Sequence, residues 1–385
     1  MKFGDSSSKC RSRPLCDWSI FRLFKTVLLI ALWYLFLATS TIFASADETD
    51  AEEQFEKLQF SFDNLGNLSE THKAIYNKDH LLLFEEHIDS SSKFDYHHSS
   101  ILSGTYVIDV DLNTLTARKI QSSTLLFIRN PDVSMEEKIF VYKNDVFMII
   151  YKTNWSFSYH LLYKWLNDSW VKMNFQAADI EFPMLYHFAE IHITQSDSDT
   201  VIFTTSLLGE NLVVYSKFTE KVKDSYILTN LYTIRELPLL SSHVLFTGLK
   251  GENLSSIMEM KYGTYHWVPD KIIEVNPNNK SFVQIDIQGK VPNWEFSGPK
   301  HVFQSKDKLL LADGTEFINI DQYSRNRDIW ILNLSHYSYT QLPLQLPEEA
   351  MSYKMCAAFD VEKSIYYVID VDSVLLMSYV KLNRF

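Results

Sequence analysis

A strand–turn–strand unit that recurs about every 50 to 60 residues predicts an all-β fold, a β-propeller of six or seven four-stranded blades. Each copy is an apolar run that leads into a polar break, and a second strand with an aromatic or aliphatic anchor follows. The five clearest copies begin at Tyr106, His160, Asn211, Lys271 and Asp328. One small sheet cannot bury both of its faces until neighbouring sheets flank it, and a radial arrangement of repeats provides those neighbours. Sustained helical periodicity with caps is absent after residue 46, which agrees with this class.

Short apolar runs between these copies supply the other predicted strands of the propeller, which is expected to occupy residues 58–385. The alternating segment 58–62 is expected to complete the last sheet and so close the ring. The further runs predicted as strands are 81–84, 146–151, 170–173, 201–204, 226–228, 244–247, 257–260, 309–312, 339–342, 365–369 and 375–380. Asp313-Gly314 is a two-residue hairpin signal ahead of the strand that contains Trp330. The region 265–285 either follows the fourth blade or extends it, which leaves six or seven blades open.

Residues 1–46 are predicted to contain a hydrophobic helix that directs the chain into the secretory pathway. The 21 residues from Thr26 to Ala46 carry no charge, and basic residues precede them while acidic residues follow. That asymmetry predicts a cytosolic amino terminus and a luminal or extracellular body. Ala44-Ser45-Ala46 has the form of a signal-peptidase site with cleavage after Ala46, but the segment is also long enough to remain as a type II membrane anchor. Residues 47–57 are acidic and are predicted to be a linker.

Six Asn-x-Ser/Thr sequons agree with entry into the secretory pathway, and none has proline at its middle position. The candidate N-glycosylation sites are Asn67, Asn154, Asn167, Asn253, Asn279 and Asn333. Three of them, Asn167, Asn279 and Asn333, fall at the polar break of a repeat. An exposed turn at that position leaves room for a glycan, although asparagine also suits turns for conformational reasons alone.

Composition restricts the class of function. The chain is 46% hydrophobic and 14% aromatic, which is enough for a large core, and its formal net charge is -12. An acidic body argues against nucleic-acid partners and against binding to an anionic membrane surface, because both need clustered Lys and Arg. Of the three cysteines, only Cys356 follows the hydrophobic segment, so the propeller has no internal disulfide, and its apolar surroundings predict a buried, inert thiol.

One repeat resembles a blade of the kelch family. The run from Asp328 to Leu334 followed by Tyr339 to Leu342 has an acidic residue, an aromatic-containing strand, a polar turn and an aromatic anchor, as the third and fourth strands of a kelch blade do. The run from Tyr106 to Ile120 is similar. The resemblance covers the carboxyl half of each repeat and implies a divergent kelch-like β-propeller. The paired glycines that end the second strand of a kelch blade are missing here, so no functional residue is carried over.

Motifs of catalysis and metal binding are sparse, and the sequence predicts no catalytic, cofactor or metal residues. Gly-rich phosphate loops, His-Glu-x-x-His pairs and Gly-x-Ser-x-Gly elbows are absent from the chain. The densest histidine group is His97-His98 with His80 and His87 upstream, and a solvated loop is favoured over a metal site. The pairs Asp109/Asp111 and Asp370/Asp372 could serve a hydrolase or a calcium site, but their equivalent positions at the ends of repeats favour a role in turns.

These observations predict a secreted or single-pass anchored β-propeller that binds a protein or glycan ligand through its loops and lacks catalytic activity. Contact with a membrane is expected only through the amino-terminal segment, if it is not cleaved. The alternative is a luminal or extracellular hydrolase that uses carboxylates in the central channel of the propeller. Converging acidic or basic side chains in the channel would favour the hydrolase, whereas an apolar or filled channel would favour the binding protein.

Overall fold

A computed structural model shows the fold over most of the chain. The residues it describes are 54–58, 61–63, 71–86, 106–121, 134–153, 158–178, 189–195, 197, 199–207, 212–235, 243–262, 266–292, 294, 299–319, 322–348, 355–371, 375–383 and 385. The chain divides into two units, Met1–Glu52 and Glu53–Phe385, and all described residues belong to the second. No helix within these described ranges is long and apolar enough to cross a membrane, and the predicted signal segment and Ala46 lie outside them.

The described residues form 28 β-strands. In chain order the strands are β1 Glu56–Leu58, β2 Ser61–Asp63, β3 Thr71–Asn77, β4 His80–Glu86, β5 Tyr106–Asp111, β6 Thr116–Gln121, β7 Ser134–Tyr142, β8 Asp145–Thr153, β9 Ser158–Leu166, β10 Ser169–Lys172, β11 Asn174–Ala178, β12 Ala189–Gln195, β13 Val201–Leu207, β14 Leu212–Val222, β15 Ser225–Ile234, β16 His243–Lys250, β17 Asn253–Tyr262, β18 His266–Asn276, β19 Ser281–Asp286, β20 His301–Ser305, β21 Lys308–Ala312, β22 Gly314–Asn319, β23 Gln322–Asn326, β24 Asp328–Asn333, β25 Ser338–Gln345, β26 Met355–Asp360, β27 Ile365–Val371 and β28 Leu375–Lys381.

The strands build a propeller of six blades, each with four antiparallel strands ordered from the centre outward. Blade 1 is β3 to β6, blade 2 is β7 to β10, blade 3 is β12 to β15 and blade 4 is β16 to β19. Blade 5 is β20, β21, β24 and β25, and blade 6 is β26, β27, β28 and β1. The predicted all-β propeller class is therefore confirmed, with six blades. Residues 266–286 belong to blade 4, where β18 and β19 pair from Lys271 to Asp286.

The five repeat copies found in the sequence are the third strands of the first five blades, namely β5, β9, β14, β18 and β24. The polar break that follows each copy is the turn to the fourth strand. In three of these turns the side-chain oxygen of the last strand residue accepts hydrogen bonds from the backbone N–H groups two and three residues later, at 2.8–3.2 Å. These residues are Asp111, Asn276 and Asn333. In these three blades an Asx turn therefore directs the chain into the outermost strand.

The ring closes through the amino-terminal part of the propeller, but the predicted bounds are wrong. The closing strand β1 begins at Glu56, within the predicted linker 47–57, and residues 61–62 of the predicted segment 58–62 pair with blade 1 instead of the last sheet. Strand β1 pairs antiparallel with β28 as the fourth strand of blade 6, with Leu58 opposite Met377. Pairing begins at Glu56, and β2 then continues onto blade 1, where it pairs parallel with β6. One short segment therefore joins the last blade to the first. A similar step occurs after blade 2, where β11 adds parallel to β15 of blade 3.

Six apolar clusters form the core, and each lies between two neighbouring blades. The aromatic side chains are concentrated at the junction of blades 2 and 3. There Phe218 is fully buried, and its ring centroid lies 5.0 Å from those of Phe140 and Tyr142 and 5.4 Å from that of Tyr226. Large rings fill the wedge between radial sheets, as the aromatic composition indicates.

One predicted turn is wrong. Asp313-Gly314 does not join β21 directly to the strand of Trp330, because the hairpin of β22 and β23 is inserted between them. Asp313 has a φ of 60° and leads the chain out of β21 into that hairpin. Glycine is needed at position 314 for a different reason, since a Cβ atom there would lie 1.9 Å from Cδ1 of the buried Trp294.

The Phe218→Ala substitution tests the wedge packing between blades. Removing this ring leaves a cavity among six other aromatic side chains, so we expect a loss of about 3–5 kcal/mol in the free energy of unfolding. Chemical denaturation measures the loss. The matched control is Phe282→Ala on the exposed strand β19, for which about 0.5 kcal/mol or less is expected. Equal effects of the two substitutions would contradict this account of the core.

Deleting residues 54–63 tests the closure of the ring. The deletion exposes the outer edge of β28 and removes the contact of Leu58 with the cluster between blades 6 and 1, so we expect a lower thermal unfolding midpoint. Fully burying a leucine stabilises a fold by about 1.5–3 kcal/mol, which sets the scale of the effect. Lys57→Ala, which keeps the backbone pairing, is the control and should unfold close to the wild-type temperature. An unchanged midpoint after the deletion would show that closure does not depend on this segment.

Candidate functional site

A central cavity of about 670 Å³ lies on the propeller axis and is lined by residues from the innermost strands of all six blades. Innermost strands are β3, β7, β12, β16, β20 and β26. About half of the wall residues are apolar, among them Ile139, Ile193, Val302, Phe303 and Phe359. A volume of this size is typical of small-molecule sites, and apolar walls with a few polar groups are their usual lining.

Ionisable side chains gather where the innermost strands end. Each of these residues ends β3, β12 or β26 or lies in the turn that follows the strand. Blades 1, 3 and 6 therefore contribute them. They are Lys78, Asp79, Asp197, Asp360, Glu362 and Lys363. The turns between the first and second strands of these blades therefore supply four carboxylates and two ammonium groups to one end of an otherwise largely apolar cavity.

Two partners keep Asp79 ionised, one from blade 6 and one from its own blade 1. The Lys363 ammonium of blade 6 forms an ion pair and hydrogen bond with Asp79 Oδ1, and the Tyr76 hydroxyl donates a hydrogen bond of 3.1 Å to the same oxygen. Lys363 is the main cause that lowers the pKa of Asp79 below its ordinary value, and the bond from Tyr76 adds to it. The same contact with Asp79 raises the pKa of Lys363. Both groups therefore stay charged at neutral pH.

Tyr76 stays protonated. Burial raises its pKa, and the nearby Asp360 carboxylate raises it further because a phenolate there would be repelled. Its ring stacks on that of Tyr367 with 6.2 Å between centroids, which fixes the side chain between blades 1 and 6. Burial, followed by the charges of Asp360 and Asp79, likewise raises the pKa of Tyr367 to about 12. Two neutral phenols thus flank the carboxylates.

Asp360 is only 1% exposed and organises the turn that carries Glu362 and Lys363. Its Oδ1 accepts hydrogen bonds of 3.0 Å from the backbone N–H groups of both residues, and its Oδ2 lies 3.8 Å from the Lys363 ammonium. On the far wall, Asp197 Oδ1 similarly accepts a 2.8 Å bond from the N–H of Asp199. Asp79, Asp197 and Glu362 are the more accessible carboxylates of the set.

The carboxylates that the sequence singled out lie away from this cavity. Asp109 is buried and accepts two hydrogen bonds from the Arg118 guanidinium, at 2.8 and 3.0 Å, and His80 Nδ1 lies 2.7 Å from its other oxygen. Asp111 caps the turn after β5. Asp111 therefore has the turn-forming role that the sequence favoured, whereas the prediction is wrong for Asp109, which pairs with Arg118 within the sheet instead. Asp370 is buried in β27, and Asp372, His87, His97 and His98 lie outside the described residues.

The other predicted residues have equally plain environments. Cys356 is buried and unpaired in β26, and burial raises the pKa of its thiol, which agrees with an inert cysteine. Within the described part of the chain, no group of three or more His, Cys, Asp or Glu side chains is placed to hold a metal ion.

The sequons occupy different environments in the fold. Asn167 and Asn279 are exposed in the turns between third and fourth strands, and Asn333 ends β24 at the equivalent position of blade 5. Asn253 begins β17, where its Nδ2 donates a 2.7 Å hydrogen bond to Glu274 Oε1. Asn67 and Asn154 lie outside the residues that the structure describes.

Comparison with known proteins identifies no family for this chain. No family model matches the chain, and no curated protein matches it. Solved structures that resemble it include one titled the structure of YjhT, at 10% identity with a TM-score of 0.43, covering 81% of this chain and 97% of that one. Another is 1,3Gal43A, an exo-β-1,3-galactanase from Clostridium thermocellum, at 10% identity with a TM-score of 0.41, covering 85% and 87% of the two chains.

The prediction of a binding protein without catalytic activity is corrected by the lining of the cavity. Ionisable groups from three blades converge there, as the hydrolase alternative requires. Sequence reasoning missed these groups because they lie in short turns after innermost strands. Most of these strands have no clear alternation of apolar and polar residues. The only available signal was the density of charge in 77–79 and 360–363 directly after strand residues.

The Lys363→Met substitution tests the charge state of Asp79. Because the folded-state pKa of Asp79 is depressed, its contribution to stability is present above the ordinary aspartate pKa of about 3.9 and is lost as the pH falls through the folded value. We expect the variant to unfold at a lower temperature than wild type near pH 7 and at the same temperature near pH 2. Thermal unfolding across that range measures this, with Lys280→Met in an exposed turn as the control. A difference that persists at pH 2 would rule out the ion pair as its cause.

Proposed function

We propose that this protein is a hydrolase whose acid–base groups are the carboxylates at the charged end of the central cavity. The convergence of Asp79, Asp197 and Glu362 from three different blades on one cavity is the observation that supports this. Residues far apart in the sequence are brought together only by closure of the ring. Hydrolysis needs a base that stays ionised and a second group that delivers a proton, and several carboxylates in one pocket can divide these roles.

Asp79 suits the ionised role. Lys363 and Tyr76 lower its pKa, so it remains a carboxylate that can activate water or stabilise a cationic transition state. Glu362 and Asp197 are exposed carboxyl groups on other walls of the same end, and one of them serves as the proton donor. Asp360 is a positioning residue, because it is buried and its contacts are with the backbone of the turn that carries Glu362.

A glycosidic bond is the substrate chemistry that this arrangement suits. Glycoside hydrolysis commonly uses two carboxyl groups on opposite sides of the scissile bond and needs no bound cofactor. The cavity is large enough for a small sugar unit, and the Phe303 and Phe359 side chains add apolar surface to its walls. The acidic end of the cavity, with four carboxylates against two lysines, favours neutral substrates over anionic ones.

The compartment is part of the same proposal. We place the protein in the secretory pathway, secreted after cleavage at Ala46 or retained as a type II anchor with a cytosolic amino terminus. The charge asymmetry around residues 26–46 and the six sequons support this location. A kelch-like origin of the blades is proposed on the runs that begin at Tyr106 and Asp328, and it supplies no site residue.

A panel of aryl glycosides, aryl esters and aryl phosphates tests the activity and its class. We expect turnover of at least one neutral glycoside, and we expect Asp79→Asn to lower kcat by about 100- to 10,000-fold, which is the usual contribution of a general base. Glu362→Gln and Asp197→Asn identify the proton donor as the variant with the larger loss. Asp286→Asn on the outer strand β19 is the matched control and should retain full activity.

Two results would reject this proposal. One is the absence of glycoside turnover by folded protein that has been purified from a secretory host. The other is turnover that is unchanged in Asp79→Asn and in both donor variants, because the activity would then reside elsewhere.

A further inference from the structure

The outer edges of the six blades differ in whether an added strand covers them. In blade 1 the fourth strand is covered by the parallel strand β2, and in blade 3 it is covered by β11. In blade 6 the outermost strand is β1 itself, which is only three residues long. The fourth strands of blades 2, 4 and 5 are β10, β19 and β25, and no described strand covers their outer edges. On β25, Gln288 forms a single parallel bridge at Ser338.

An uncovered edge presents backbone N–H and C=O groups that can pair with another chain. Two of the three edges here also expose apolar side chains. On β19, Phe282 is 38% and Val283 is 52% exposed, and on β10, Val171 is 42% exposed. Short strands, added lysines or a covering segment are the usual protections. The six-residue strand β19, with exposed residues on both of its faces, has little such protection from its own sequence.

Sequons occur in the turn before the fourth strand in blades 2, 4 and 5. Asn167 precedes β10, Asn279 precedes β19 and Asn333 precedes β25. The corresponding turns of blades 1 and 3, whose outer edges have an added strand, contain no sequon. The distribution of sequons is therefore complementary to the distribution of covering strands.

We infer that Asn167, Asn279 and Asn333 carry N-linked glycans and that these glycans cover the uncovered outer edges of blades 2, 4 and 5. A glycan at the start of an edge strand blocks the approach of a second strand, because it is bulky and hydrated. In the modification, a polyprenyl-diphosphate-linked oligosaccharide donates its sugar to Nδ2. A C–N bond forms, the C–O bond to the diphosphate breaks, and the amide loses one proton. The inference rests on the proposed compartment and is independent of the proposed activity.

Geometry at the acceptor residues supports this selection. Asn167 and Asn279 are exposed. The half-buried Asn333 uses its Oδ1 to accept bonds from the backbone N–H groups of Ser335 and His336, so its Nδ2 can be modified without breaking that turn. Asn253 differs, since its Nδ2 is bonded to Glu274 and the sequon hydroxyl of Ser255 is fully buried. The folded protein has no comparable room at Asn253, which makes it an internal control.

The test is expression in a secretory eukaryotic host, followed by glycopeptide mass spectrometry and light scattering. We expect occupancy at Asn167, Asn279 and Asn333, little at Asn253, and a monomer in solution. Trimming the folded protein with an endoglycosidase, or replacing all three residues by Gln, should shift the mass toward dimers and larger species. Adding Val283→Lys to the triple variant should restore part of the monomer, because a lysine at an edge opposes pairing. Asn253→Gln alone should change nothing.

Unmodified sites in secreted protein would overturn the inference. Occupied sites whose enzymatic trimming leaves the protein monomeric would also overturn it, because the glycans would then not protect the edges. Enzymatic trimming acts on protein that is already folded, so the conclusion does not depend on whether the triple variant folds. Hydrolase activity of the trimmed protein is measured in the same sample, which separates failure of this inference from failure of the proposed function.

Discussion

Each blade has two faces that need burial, and only a neighbouring blade can bury them. This constraint explains why the six core clusters lie between blades and why the ring has to close. The chain does not run directly from blade 6 into blade 1. Pairing of β1 with β28 and of β2 with β6 joins these two blades instead. Burial of the two terminal blades therefore depends on a segment only eight residues long, 56–63.

The candidate site depends on the same junction. Asp79 and Tyr76 belong to blade 1, whereas Asp360 and Lys363 belong to blade 6, and the ion pair between Asp79 and Lys363 crosses the closure. The ion pair is largely exposed and contributes little to stability by itself. Its main effect is on protonation, because it keeps Asp79 ionised and orients Lys363 toward the cavity. The charge state of the site therefore depends on closure of the ring. The strands that close the ring are β1 and β2, whereas Asp79 and Lys363 set the charge state.

The sequence predicted the third strands well because they combine long apolar runs with an Asx turn at a regular spacing. Closure by an early segment could also be predicted, because 58–62 alternates ahead of the first blade, although the strand that closes the last sheet is 56–58. Innermost strands were harder to find. Strand β7 reads Ser-Met-Glu-Glu-Lys-Ile-Phe-Val-Tyr, and β3 has a similar mixture, so neither shows the long apolar run or the strict alternation that marks a strand. Without those strands, the turns that hold Asp79 and Glu362 could not be assigned to a common site.

Position within the blade decides what an acidic residue does in this protein. Asp111 ends a third strand, far from the axis, where its oxygen accepts hydrogen bonds from the backbone N–H groups of Asn113 and Thr114, and so it forms a turn. Asp360 ends an innermost strand and forms the same kind of turn, but that turn lies at the axis and brings Glu362 and Lys363 to the cavity. The same kind of turn, formed at two distances from the propeller axis, therefore has a structural role at the rim and holds a charged cluster at the centre. The local sequence does not show how far a turn lies from the propeller axis, because that distance is defined only in the closed ring.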